Sequence, residues 1–246
     1  MTGPGGIAAP APPERLTRSV LDFRPSRHGF HFANRFPPGP TLRIGPIDPR
    51  VMGVGDASAG LCGGLVLTAR DLFEARLDPP PDREPPTNGS RRFRALVRRQ
   101  AQSLDWLRVP LRFYDAGAFR PDPATWWSRA LGRRPARDTS LDVAWPAIRS
   151  EIDAGRLVVL GLVRRAEVNP LRLVLNHQVL GWGYRVEPGL VAIRVYDPNW
   201  PDQDDVEQRI ELGADGRPDR LSSSTGEPLV GLLRLPYSFE PPRAWR

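Results

Sequence analysis

From residue 157 onward the chain breaks into short segments, 157–163, 173–184, 190–196, 206–212 and 229–235, each rich in Val, Ile and Leu and separated from the next by turn residues. Segments of that length and composition form β-strands, and their close succession predicts an antiparallel sheet. Residues 62–154 read differently. Leu65, Ala69, Leu72 and Phe73 recur at helical spacing over 62–76, and helices are also expected over 93–106, 123–131 and 145–154. Pro146 is acceptable in the first turn of the last of these, and Gly155 lies just past its end. Helices first and a sheet second predict an α+β domain.

The expected division is a disordered tail over 1–17, rich in Gly, Ala and Pro, followed by a single domain over 18–246. Phe30 to Phe32 and Leu42 to Ile44 read as small strands or extended arms, and 51–60 as a Gly-rich loop. A Pro-rich and helical insertion is expected at about 78–150; its Pro-rich start, 78–91, is a surface excursion. Residues 109–114 alternate like a strand. No run of apolar residues is long enough to span a bilayer and the N-terminus lacks a secretory pattern, so a cytoplasmic protein with no membrane partner is expected.

The net charge is +7, and all 35 basic residues are Arg. That usage fits the codon bias of a GC-rich genome, and the arginines are dispersed without an aromatic-interleaved reading motif, so no nucleic-acid partner is expected. The acidic stretch of Asp202, Asp204, Asp205 and Glu207 reads as a solvated loop, the alternative being the lining of a cleft that attracts a cationic substrate. His28 and His31 lie three apart with no acidic or sulfur partner at suitable spacing, and are read as structural. Neither a metal nor another cofactor is expected.

The chain has one cysteine, Cys62, at the start of the first long helix. A lone thiol forms no internal disulfide and cannot build a thiolate metal cage. At a helix N-terminus, however, the dipole and free N–H groups stabilise a thiolate. Gly63 and Gly64 follow it, each costing about 1 kcal/mol of helix propensity relative to Ala, which suggests close backbone approach by a substrate strand or an adjacent loop. A hairpin of 174–184 with 190–197 around Glu187 places His177 opposite Asp197, Val179 opposite Val195 and Gly181 opposite Ile193. Cys62, His177 and Asp197 are therefore candidates for nucleophile, base and orienting carboxylate. Asn34 and Gln178 are candidate oxyanion donors and Asn199 a reserve orienting residue. Trp126, Trp127 and Trp182 are candidate substrate walls, with core packing the commoner role of such residues.

Cys62-Gly63-Gly64 at the head of the main helix, His177 followed by Gly181-Trp182-Gly183-Tyr184, and Asp197-Pro198 some twenty residues on resemble the papain-like cysteine peptidase superfamily, most of all the bacteriocin-leader (double-glycine) peptidases and their bacterial relatives. The likeness covers 60–76 and 157–200. It implies a papain-like fold, with an N-terminal helix bearing Cys62 packed on a C-terminal sheet bearing His177 and Asp197. It also implies a hydrolase of peptidase or amidase type acting on a peptide or protein substrate. Family members usually carry Gln several residues before the Cys, where this chain has Asp56. The alternative is accordingly a catalytically inactive papain-like module that binds a peptide or protein partner.

Overall fold

The computed structural model describes residues 15–37, 60–105, 108–118, 120, 126, 130–164 and 177–246. The chain is α+β. Strand β1 (Leu16–Ser19) and a single helical turn, α1 (Pro25–His28), precede the long helices α2 (Cys62–Glu74), α3 (Arg91–Ser103) and α4 (Arg108–Ala118). A short helix α5 (Ala136–Thr139) runs through a wide π turn (Ser140–Ala144) into α6 (Trp145–Asp153). Then come β2 (Val158–Val163), β3 (His177–Glu187), β4 (Leu190–Tyr196), β5 (Glu207–Leu212), β6 (Pro218–Ser223) and β7 (Gly231–Arg234). Among the described residues no helix is long and apolar enough to cross a membrane.

The sheet is antiparallel throughout, in the order β6-β5-β4-β3-β2-β7, with β1 on the same edge of β3 as β2. Both of its central faces are covered. Val159 and Val163 of β2, with Leu180 and Tyr196, pack against Leu65, Leu72 and Leu96 of α2 and α3. Val158, Leu160 and Leu162, with Val179 and Ile193, pack against Trp145, Ile148 and Ile152 on the other side. A strand buried on two faces has no polar side to show, which is why β2 reads Val-Val-Leu-Gly-Leu-Val without alternation.

Several expectations are corrected. Residues 109–114 lie in helix α4, not in a strand; Val109, Phe113 and Ala116 are buried at helical spacing, and a six-residue window holds too few turns to separate the two periods. Leu16 and Thr17, expected in the tail, pair with Val186 and Arg185 as part of β1. The register of β3 with β4 also differs. The hairpin closes tightly on Pro188-Gly189, with Glu187 opposite Leu190 and Gly189 at φ +76°. Near the turn Tyr184 faces Ile193. Beyond a bulge at Trp182, Gly181 faces Val195 instead of Ile193, and Leu180 faces Tyr196. Strand β6 was not anticipated, because Pro218 at its start and the polar Asp219, Arg220, Ser222 and Ser223 hide it. The expected arm at 42–44 and most of the expected helix at 123–131 lie outside the described residues.

The segment at 78–150 is built into the fold. Helix α3 lies along α2, burying Phe93 and Leu96, and Arg99 forms a fork with Asp71 of α2: Nε lies 2.9 Å from Oδ2 and Nη2 donates to Oδ1 at 3.0 Å. Asp71 Oδ1 also accepts from the Tyr237 hydroxyl and the Glu240 N–H, so one carboxylate ties α2, α3 and the C-terminal segment together. Removing one member of a buried pair strands the other charge, at a cost of about 3–5 kcal/mol. Arg99→Met is expected to lose stability on that scale in chemical denaturation, and Asp71→Leu/Arg99→Met to regain part of it. An unchanged midpoint in the single variant would contradict this role for the pair.

Candidate functional site

Cys62 opens helix α2, and its first residues have no intrahelical acceptor for their N–H groups. The structure shows how those groups are aimed. Leu61 N–H donates to Asn34 Oδ1 at 2.7 Å and Gly64 N–H to Gln100 Oε1 of α3 at 2.9 Å. The Gly63 and Gln178 N–H groups lie close enough to the Cys62 sulfur to favour its thiolate. Cys62 itself is half-buried.

His177 is the first residue of β3 and is 4% exposed. Its Nε2–H donates to Asp197 Oδ1 at 2.7 Å, which leaves Nδ1 for the Cys62 sulfur, close enough for each group to shift the other's titration. Asp197 is 1% exposed and directly follows β4. Its Oδ1 also accepts from Asn199 N–H at 2.8 Å, an Asx turn around Pro198, and Trp200 N–H closes the turn on the Asp197 carbonyl at 2.9 Å.

The bulge at Trp182 brings the pair together. Continued past the last ladder pair, the register would set His177 opposite Asn199, making Asp197 its diagonal neighbour on the same face and within reach of a long side chain. Without the extra residue His177 would fall opposite Trp200 and onto the other face from Asp197, since one residue of slip inverts every side chain. The bulged residue is well held. Trp182 is buried, its carbonyl accepts from Val20 N–H at 2.7 Å, and Arg24 and Arg194 lie over its ring.

The charges are strongly coupled. Burial pulls the His177 imidazole down, but the charge and hydrogen bond of Asp197, helped by the Cys62 sulfur, reverse this and push it up to about 10. Burial pushes the Cys62 thiol up, while His177 and the Gln178 and Gly63 N–H groups bring it below its ordinary value. Burial also raises the Asp197 carboxyl, and the His177 charge and hydrogen bond more than offset this, leaving it below the usual carboxylate range. All three shifts run toward the charged forms, a thiolate beside an imidazolium backed by a carboxylate.

The other candidates have different occupations. Both ends of the Asn34 amide are committed: Oδ1 to Leu61 N–H, and Nδ2 to Asn199 Oδ1 at 3.3 Å. Gln178 points away from His177 toward α2 and α3, where Nε2 donates to Ser103 Oγ at 3.2 Å. Asn199 reaches Asp197 through its backbone N–H, not its side chain. Asp56 and Trp127 lie outside the described residues, and Trp126 is exposed. Trp182 is a core residue rather than a wall. His28 Nδ1 accepts from Arg24 N–H at 3.0 Å and His31 Nδ1 lies 2.6 Å from Asp202 Oδ1, so the two rings serve separate partners. The acidic stretch is engaged with its surroundings. Asp204 holds Ser26, and Glu207 pairs with Arg185 and Arg209.

Gly63 and Gly64 answer to the neighbouring helix and strand. A Cβ on Gly63 would lie 2.1 Å from Ser103 Oγ and 2.9 Å from Gln178 Oε1, and one on Gly64 2.4 Å from the Leu96 carbonyl oxygen. The close approach expected from the sequence is thus made by α3. Sequence reasoning also missed Gln100 and Ser103, whose only signal is that they continue the α3 face that carries Phe93 and Leu96.

Compared with protein-family models, with curated proteins and with solved structures, the chain matches none.

Gly64→Ala separates the two readings of the glycine pair. Helix propensity alone would stabilise the variant by about 1 kcal/mol, whereas overpacking against Leu96 predicts a loss of about 1–3 kcal/mol. A lowered denaturation midpoint is expected; a raised one would contradict the close seating of α3.

Proposed function

We propose that this chain is a cysteine hydrolase of peptidase or amidase type with a papain-like arrangement, in which Cys62 is the nucleophile, His177 the proton carrier and Asp197 its orienting group. The observation that carries the reading is the buried 2.7 Å bond from His177 Nε2 to Asp197, with the other side of the same ring engaged by a thiol at a helix N-terminus. Nucleophile, base and orienter stand in series, an order suited to acyl-transfer chemistry.

The Cys62 thiolate attacks the carbonyl carbon of an amide, forming a C–S bond and moving the carbonyl π electrons onto oxygen. Collapse of the tetrahedral intermediate breaks the C–N bond, and the His177 imidazolium gives its proton to the departing nitrogen. Water then attacks the thioester while His177 accepts its proton, and the C–S bond breaks to return the thiolate. Asp197 holds the ring and stabilises its charged form. The Cys62 N–H, without an intrahelical acceptor, supplies one hydrogen bond to the developing oxyanion.

One observation favours the alternative of an inactive module that binds a peptide or protein partner. The side-chain amides of Asn34 and Gln178 each give one N–H to another partner, Asn199 Oδ1 and Ser103 Oγ, so neither is dedicated to an oxyanion. The two readings share the cleft and differ in turnover.

The test is alkylation of Cys62 by iodoacetamide as a function of pH, alongside hydrolysis of a library of peptide amides. The rate is expected to rise at a pH below the ordinary thiol value of 9.0, and His177→Ala to move the rise up to that value or above it. Because leaving-group protonation needs the imidazolium, turnover should begin as Cys62 ionises and fail as pH passes about 10, where His177 loses its proton. Asp197→Ala should bring that upper limit down. Rapid alkylation without hydrolysis of any amide would favour the binding module, and alkylation at the rate and pH of an ordinary thiol would overturn the hydrolase reading.

A further inference from the structure

We infer that Asn34 is a positioning residue for the Cys62–His177 pair, acting as the clamp that closes a hydrogen-bonded circuit around the site. This rests on the function proposed above. Starting at Leu61, whose N–H donates to Asn34 Oδ1, the circuit runs through Asn34 Nδ2–H to Asn199 Oδ1. It continues through Asn199 N–H to Asp197 Oδ1, where the His177 Nε2–H also arrives. The opposite side of His177 meets Cys62, which is covalently joined to Leu61. A third bond, from Asn34 N–H to the Pro198 carbonyl at 2.8 Å, fixes the Asn34 backbone to the same turn.

The circuit settles a geometric question that the strands leave open. Helix α2 and the Asp197 turn belong to different layers of the fold, and a sulfur–imidazole contact is sensitive to the gap between them. Asn34 spans that gap with one planar amide, its acceptor on the helix entry and its donor on the turn, and the bond lengths fix the spacing. The seat is shaped for it. Gly60 has φ +89°, and a Cβ there would lie 2.6 Å from Asn34 Nδ2, so conformation and space both exclude a side chain at that point. One Nδ2–H goes to Asn199 and ties the amide to the Asp197 turn.

Alkylation by iodoacetamide across pH, with thermal unfolding in parallel, tests the inference in the full chain. In Asn34→Ala the alkylation midpoint is expected to move up by about one pH unit, so that the rate near neutral pH falls about tenfold. Asn199→Ala removes the acceptor but keeps the N–H on Asp197, and should shift the midpoint the same way by less. It decides the matter if Asn34→Ala does not fold. Tyr237→Phe removes a bond at the far end of α2 and should lower the unfolding temperature while leaving the midpoint at the wild-type value. A lowered unfolding temperature with unmoved midpoints in the folded Asn34 and Asn199 variants would overturn the inference. A wild-type midpoint already at 9.0 would instead remove the reactive pair itself, and the positioning role with it.

Discussion

A carboxylate sealed from water at 1% exposure is tolerable only if its charge is matched, and Asp197 is matched by His177 at 2.7 Å. Much of the local construction follows from that requirement. The carboxylate favours the charged form of the ring, and a charged ring beside a thiol lowers the pH at which the thiol loses its proton, so Cys62 becomes the third member of one electrostatic unit. The helix that carries Cys62 contributes free N–H groups, and Gln100 takes up one that the sulfur does not use.

The scaffold places that unit by two devices. One is the bulge at Trp182, which shifts the far half of β3 by a residue and puts His177 on the face of Asp197. The other is the contact of α2 with α3, close enough to forbid side chains at 63 and 64. Both spend local regularity, a broken ladder in one case and helix propensity in the other, at the two places where the reactive groups meet. Departures from local preference of this kind concentrate where geometry matters most.

Five of the seven described strands, and the three residues that the structure brings together, were legible in the sequence because β-branched runs between turn residues and a helix-initial cysteine are local signals. The β4 bounds, 190–196, are those of the structure. What the sequence could not carry was register. A hairpin centred on Glu187 placed His177 opposite Asp197, whereas the real turn is Pro188-Gly189 and the contact is diagonal. The face came out the same because an extra residue at Trp182 restored the parity that the tighter turn had changed, and nothing in Gly181-Trp182-Gly183 says which residue will bulge. Residues 109–114 failed for a related reason: six residues sample under two helical turns, and α4 acquires its buried face only from packing against the sheet. The roles of Asn34 and Gln178 depend on partners far away in sequence, and no local pattern announces them.

The account stands on His177 being an imidazolium at neutral pH. Nitrogen-detected NMR of the histidine side chains, with His177→Gln used for assignment, measures this directly. Both ring nitrogens of His177 are predicted to carry protons through neutrality and to lose one only near pH 10, with Cys62→Ser lowering that value. A His177 ring that titrates at the ordinary 6.5 and is neutral above it would contradict the account.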